Sequence, residues 1–365
     1  MQLYLLDIIN GKRRGFIPSI IHKILYILSL GYKTAVKCRN FAFDQQWISQ
    51  QNSHAPLTIS IGNITVGGTG KTPITLMLAK EFYPNTQIAI LSRGYRSKAE
   101  KLPTPLVLSR GVGPLYPPEY AGDEPYLLSR AFPKAIFIIG RDRCKAAKMA
   151  VETGAKVLIL DDGLQHRYLK RDFDILTMDG NDPFNNEKFL PYGLLRDSLQ
   201  SIKRAHLIIL NGLKDPSQFE KLLIQFKTYT EAPVIATSLE AKHICLSGGR
   251  TLPSLKDKKI AIFCGIANPE RFVKTVNDLG AHIVHQKFVA DHKGLTTKEL
   301  DRFAIESADQ GAEFIFCTEK DHVKLPFDYT SQLPIGWLQM QMEIQYGAEH
   351  WKAFVDKAKL LIDSK

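Results

Sequence analysis

The chain has 365 residues, 44% of them hydrophobic, and a formal charge of +11 from 48 lysines and arginines against 37 aspartates and glutamates. That length suits two domains, each able to bury a core, and that composition excludes a disordered or low-complexity protein. The charge points to an anionic partner (nucleotide, phospholipid surface or nucleic acid) without choosing among them. The five cysteines, Cys38, Cys144, Cys245, Cys264 and Cys317, contain no C-x-x-C pair. This argues against a disulfide framework or a zinc site and for a reducing compartment.

The first patterned stretch is apolar, from Phe16 to Leu30, interrupted by His22 and Lys23. It is short for a transmembrane span and lacks the small-residue cleavage site of a signal peptide. On a helical projection Ser19, His22, Lys23, Tyr26, Ser29, Lys33 and Lys37 share one face, and Ile17, Ile20, Ile21, Ile24, Leu25, Ile27 and Leu28 fill the other. With Lys12, Arg13 and Arg14 just before it, such a helix can lie in the interface of an anionic membrane. Packing against the protein's own core is the alternative, which Pro18 at an early helical position serves equally.

Leu57 to Gly62 reads as a buried strand, followed by Asn63-Ile64-Thr65-Val66-Gly67-Gly68-Thr69-Gly70-Lys71-Thr72-Pro73 and an apolar helix through Ala79. Strand, glycine-rich turn, Gly-Lys-Thr and helix form the layout of a phosphate-binding loop. Nucleotide phosphates would lie against Thr65, Val66, Gly67, Gly68, Thr69, Gly70, Lys71 and Thr72. Lys71 would reach the β- and γ-phosphates, and Thr72 would bind Mg²⁺. Thr65 departs from the strict pattern, which has glycine there. Val66 replaces the extra lysine of dimerising P-loop ATPases, which counts against that class.

Downstream, the strand Gln87–Leu91 ends in Ser92-Arg93-Gly94, either a second substrate-facing loop or a simple turn. Residues 98–118 are rich in proline and glycine and read as a surface excursion. Asp123 and Glu124 open a helix; they are either helix-terminal acids or a source of a base beside the phosphate site. Val157–Leu160 is an apolar strand capped by Asp161-Asp162-Gly163, which puts a hard oxygen ligand for Mg²⁺ at a strand's carboxyl end. Gln165 and His166 continue into the same crevice. Arg196-Asp197 is either a surface ion pair or places an arginine to neutralise charge on a transferring phosphoryl group.

From Gly248 onward a second strand–helix series begins. The expected fold is α/β: a P-loop NTPase-like parallel sheet domain, a second, smaller α/β domain and an N-terminal amphipathic membrane helix. The expected divisions are residues 1–50, 51–245, 246–345 and a closing helix in 346–365. Glu319-Lys320-Asp321 is not the Asn-Lys-x-Asp that a GTPase uses for its base.

Several stretches together resemble the tetraacyldisaccharide 4′-kinases, the lipid A 4′-kinases of Gram-negative bacteria. They are Gly62–Pro73, Ser92-Arg93-Gly94-Tyr95, Gly122-Asp123-Glu124-Pro125, Asp161-Asp162-Gly163-Leu164-Gln165-His166, Leu190-Pro191 to Arg196, Gly265 to Phe272, Asp291-His292 and Thr318-Glu319-Lys320-Asp321, in family order. In that family threonine is normal where Thr65 stands. The family loop ends in Arg-Glu, and Asp197 is one methylene shorter.

The resemblance implies transfer of the ATP γ-phosphate, with Mg²⁺, to the 4′-hydroxyl of a tetraacylated glucosamine disaccharide 1-phosphate at the cytoplasmic face of the inner membrane. It points to Asp123 as base, with His292 orienting it, beside Lys71 and Arg196. It implies Thr72, Asp161, Asp162 and Asp197 around the metal, and Asn63, Arg93, Glu124, Gln165 and His166 on the substrate side. The competing classes are a P-loop switch ATPase or GTPase and a kinase of a soluble metabolite. Nothing in the sequence supports nucleic-acid binding or an obligatory protein partner.

Overall fold

The computed structural model describes residues 8–9, 15–95, 97–266, 268–290, 293–326 and 329–364. Helix α1 (Phe16–Asp44) leads into β1 (Leu57–Gly62), α2 (Lys71–Phe82), β2 (Ile88–Ser92), β3 (Leu106–Arg110) and α3 (Pro118–Ala121). Then come α4 (Asp123–Ala131), β4 (Ile136–Ile139), α5 (Arg143–Glu152), β5 (Val157–Asp161), β6 (Phe173–Asp179), β7 (Leu207–Asn211), α6 (Pro216–Phe226) and the long β8 (Val234–Leu246). The remainder is β9 (Arg250–Leu252), β10 (Lys259–Cys264), α7 (Pro269–Asp278), β11 (His282–Phe288), α8 (Thr297–Asp309), β12 (Phe314–Thr318), α9 (Glu319–His322), β13 (Ile335–Tyr346) and α10 (Ala348–Asp363).

The described strands join one sheet in the order β11-β10-β12-β13-β8-β7-β6-β1-β5-β2-β4-β3, with β9 against β8. All pairs are parallel except β3/β4, β8/β9 and β8/β13. The parallel strands carry near-continuous apolar runs because both of their faces are covered. Side chains alternate across the sheet. Ile59, Ile61, Ile90, Phe137 and Ile159 therefore enter one core with Ile74 and Leu78 of α2 and Phe354 of α10. Leu91, Ile138, Leu158 and Leu160 pack on the opposite face with Ala146 and Ala150 of α5. On that side too, Leu176 and Ile208 pack with Val36 of α1 and Phe226 of α6.

The sheet differs from expectation in two places. The stretch read as a surface excursion contains β3, an antiparallel edge strand along β4. The strand expected over Val234–Ser238 runs on to Leu246, because β13 pairs with it from Ala236 to Leu246. That pairing joins the two strand series into one sheet, and the expected division at 245–246 falls at the end of β8. Both features depend on partners far away in sequence, which local patterning does not register.

Helix α1 packs along one side on the protein itself and leaves the other side exposed. His22 and Tyr26 touch the ring of Tyr192, and Ser29, Val36, Asn40 and Phe43 are buried. The apolar residues of the first half point outward: Phe16 is 82% exposed and Ile17 and Ile27 are each 65% exposed. Among the described residues, no helix is long and apolar enough to cross a membrane.

Candidate active site

The phosphate loop occupies the carboxyl edge of the sheet between β1 and α2. β1 lies between β5 and β6, and the pairing of Ile61 with Asp161 sets that aspartate beside the loop's entry. Gly70 caps α2 in the left-handed region with φ 79°. A Cβ there would stand 2.1 Å from Asn211 Nδ2, so only glycine fits. A Cβ on Gly67 or Gly68 would meet nothing within 4 Å, so the loop crest is open on its ligand side. The amides at the start of α2 and its positive dipole end favour an anion there.

Asn63, fully buried, braces the loop from within: its side chain donates to Thr69 Oγ1 at 2.9 Å, and that hydroxyl pairs with Thr177 Oγ1 at 3.0 Å. Thr65 bridges to Leu195, and Val66 N–H donates to Leu194 O at 2.7 Å. The segment carrying Arg196 is thus stitched to the loop itself. Gln165 reaches the same place, its Nε2 donating to Asn63 O at 2.7 Å.

Charges converge in front of this frame. Arg196 grips Asp162 through both terminal nitrogens, Nη1 at 3.0 Å from Oδ2, and also donates to Asn63. Lys71 Nζ lies 3.9 Å from Asp162 Oδ1. These cations, with Arg196 bonded directly, hold the Asp162 carboxyl below its usual range against the opposing effect of burial. Asp162 itself takes a positive φ of 55° as the chain turns off β5.

Its neighbour Asp161 behaves oppositely. Burial, with Glu124 and Asp162 nearby, pushes its carboxyl up to about 6. Ser92 Oγ donates to its Oδ2 at 3.3 Å, while Oδ1 is buried with no hydrogen-bond partner. A buried unpaired carboxylate oxygen beside Glu124, whose Oε2 accepts from Thr72 Oγ1 at 3.3 Å, is a donor set that suits a hard divalent cation. Among the described residues no three His, Cys, Asp or Glu side chains form a metal cage.

The second strand series reaches the same group of charges. Lys324, after α9, places Nζ 3.3 Å from Asp123 Oδ2 and 3.2 Å from Asp321 Oδ1. Lys320 Nζ lies 4.0 Å from Glu124. Asp321 is buried and ties the Gly265 turn to α9, accepting from Gly265 N–H at 3.0 Å and Thr318 Oγ1 at 2.6 Å. A cluster of Lys71, Arg196, Lys320 and Lys324 around Asp123, Glu124, Asp161 and Asp162 can neutralise polyphosphate and offers carboxylates for metal and proton. The sequence profile of the tetraacyldisaccharide-1-P 4′-kinases matches residues 21–359.

The chain belongs to that family.

A tetraacyldisaccharide 4′-kinase of Syntrophus aciditrophicus is 36% identical over 349 residues, covering 92% of each chain. One of Chlamydia pneumoniae is 34% identical over 336 residues, covering 90% of this chain and 87% of its own. The crystal structure of LpxK from Aquifex aeolicus in complex with ATP superposes with a TM-score of 0.74 at 27% identity, over 93% of this chain and 99% of that one.

For this kinase-family member the structure brings most of the expected residues together and sets some apart. Lys71, Thr72, Asp123, Glu124, Asp161, Asp162 and Arg196 lie together beside the loop. Asn63 and Gln165 brace the loop. Arg93 donates to buried Glu100 at 2.8 Å, beside Arg141. His166 is held largely neutral, its imidazole pushed down to about 4 by burial and by Arg143. Asp197 is fully buried, its carboxylate taken up by Asn40, Ser201 and Arg204. His292 lies outside the described residues. Two lysines outside the sequence expectations, Lys320 and Lys324, join the group beside the loop; Lys320 stands inside the Thr318–Asp321 stretch, and Lys324 lies in no motif.

Proposed function

We propose that the chain transfers the γ-phosphate of ATP to the 4′-hydroxyl of tetraacyldisaccharide 1-phosphate, giving lipid IVA in lipid A biosynthesis. One observation carries the chemistry: Lys71 and Arg196 meet at Asp162 in front of a glycine loop, with Asp123 and Glu124 across the cleft. The loop amides and Lys71 hold the β- and γ-phosphates, and Arg196 neutralises charge as the phosphoryl group moves. Asp123 takes the proton of the 4′-hydroxyl as oxygen bonds to phosphorus and the bond to the β-phosphate oxygen breaks, releasing ADP. His292 is assigned, by family resemblance, to orient Asp123.

Thr72 with Asp161 or Asp162 would hold Mg²⁺, which supplies charge neutralisation on the β- and γ-oxygens. The unpaired Oδ1 of Asp161 favours that residue over Asp162, which Arg196 already engages. Asp197 has no such opening. Division into a phosphate-loop unit (51–245) and a smaller α/β unit (246–345) suits a cleft that closes on ATP and lipid and excludes water. The outward apolar side of α1, with the basic residues around it, would rest on the anionic cytoplasmic face of the inner membrane, where acyl chains of the substrate remain in the bilayer. The test is ATP consumption with lipid A disaccharide 1-phosphate and, in parallel, with small alcohols. Stimulation by the lipid alone is expected; equal stimulation by both would leave a kinase of soluble metabolites.

A further inference from the structure

We propose that Tyr32 and Asn40 of α1 are positioning residues for the phosphoryl-transfer site, holding Arg196 against the phosphate loop through residue 197. The inference rests on the role given to Arg196 above. Tyr32, Val36 and Asn40 recur every four residues and so form one stripe on α1. Tyr32 Oη donates to the backbone carbonyl of Arg196 at 3.0 Å. Asn40 Nδ2 donates to Asp197 Oδ1 at 2.7 Å. Between them Val36 packs in the core that contains Ile64, Leu164 and Leu195. The helix therefore grips both residues of the Arg196-Asp197 pair and the apolar side chain before them.

The grip is not a surface contact. Asp197 is 0% and Asn40 9% exposed, so a carboxylate is buried where it requires partners. Ser201 Oγ at 2.8 Å and Arg204 at 3.5 Å complete them. The held segment is in turn bonded to the phosphate loop's entry: Arg196 N–H donates to Ile64 O at 2.8 Å and Val66 N–H to Leu194 O at 2.7 Å. Further along α1, Arg167 donates to Asn40 O at 3.0 Å and to Asp44 Oδ1 at 2.7 Å, so the Gln165–Arg167 turn is held from the same helix. A shift of α1 is thereby a shift of the Arg196 guanidinium, and a displacement near 1 Å is enough to cost catalysis on the order of 10²-fold. Asp197 serves in this arrangement as an anchor for the helix.

The test uses the full chain and measures kcat, KM for ATP and Tm for Asn40→Ala and Tyr32→Phe, each alone and combined with Arg196→Ala. Asn40→Ala is expected to lower kcat about 10- to 100-fold with KM for ATP little changed. Tyr32→Phe, which removes only a hydroxyl, is expected to lower it several-fold. Neither should lower kcat further once Arg196 is alanine, because nothing then remains to position. A purely structural role predicts a lower Tm with unchanged kcat, or the same fold loss in both backgrounds; either result overturns the inference. If Asn40→Ala does not fold, Tyr32→Phe decides alone. Should Arg196→Ala abolish turnover while both α1 variants keep it, the inference fails and the Arg196 assignment stands. Full turnover by Arg196→Ala would overturn both.

Discussion

Arg196 and Asp162 form a two-pronged ion pair across the mouth of the phosphate loop, with Arg196 Nη1 3.0 Å from Asp162 Oδ2. Two nitrogens meet two oxygens, a grip that lysine's single ammonium cannot reproduce. It fixes the guanidinium beside the loop that carries Lys71. Arg196→Lys and Arg196→Ala are each expected to lower kcat by about 10²–10³-fold, the usual loss for one transition-state donor. Steady-state kinetics on lipid substrate checks it; a loss confined to KM for ATP would mean that Arg196 only binds the ground state.

Asp123 opens α4, and its carboxylate lies 3.3 Å from Lys324 Nζ, reached from beyond β12. The ion pair ties the proposed base to a cation from the other strand series. Asp123→Ala is expected to lower turnover by about 10²–10⁴-fold while ATP still binds. Near-normal turnover of that variant on saturating lipid would remove Asp123 from the mechanism.

The outward side of α1 can be tested without disturbing the fold. Deleting residues 1–40 would also remove Val36 and Asn40, which are buried, so truncation confounds membrane binding with folding. Ile20, Ile24 and Ile27 are 43%, 51% and 65% exposed. Changing all three to glutamate should leave Tm almost unchanged, since exposed substitutions cost little. Sedimentation with phosphatidylglycerol vesicles should fall sharply. Unaltered sedimentation would mean that the helix is not the membrane contact.

Stability should depend on pH through one buried and two half-buried groups. Burial pushes the imidazoles of His166 and His322 down to about 4, with Arg143 near the first and Arg130 near the second. Their stabilisation is present above the unfolded value of 6.5 and lost as pH falls toward 4. Asp161, pushed up to about 6 from 3.8, works in the other direction, stabilising at low pH and losing that contribution as pH rises through 6. Two imidazoles against one carboxyl leave a net loss of Tm on acidification from pH 6.5 to 4. His322→Phe, which keeps the stack on Trp337, should reduce that loss. Asp161→Asn should raise Tm at pH 7 in nucleotide-free protein, by up to the order of 3 kcal/mol in stability, and abolish turnover. A flat Tm profile would contradict the burial of these groups.

Much of the chemistry was legible from residue order alone. Strand, glycine turn, Gly-Lys-Thr and helix are contiguous, so Gly62 to Ala79 declared a phosphate loop. The aspartates capping Val157–Leu160 could be placed beside it because parallel strands bring their carboxyl ends to one edge. The family, too, was carried by ordered short motifs. What sequence could not decide is everything made by residues far apart. Thr65 alone does not show that it bridges to Leu195, and nothing near Val234 announces that β8 continues to Leu246 along β13. Lys324 has no motif; only the docking of α9 near Asp123 gives it a place.

The N-terminal helix marks the division most sharply. Its amphipathic pattern is a property of the sequence, since Ile17, Ile20, Ile24 and Ile27 fall on one side by helical spacing. Which side meets protein is a property of the tertiary structure. His22, Ser29, Val36 and Asn40 turn inward because the Tyr192 ring, the Leu195 core and the Asp197 carboxylate offer them partners, and the isoleucines are left facing out. Periodicity is local and can be read from the chain; the identity of what lies opposite is set by packing across the whole sheet.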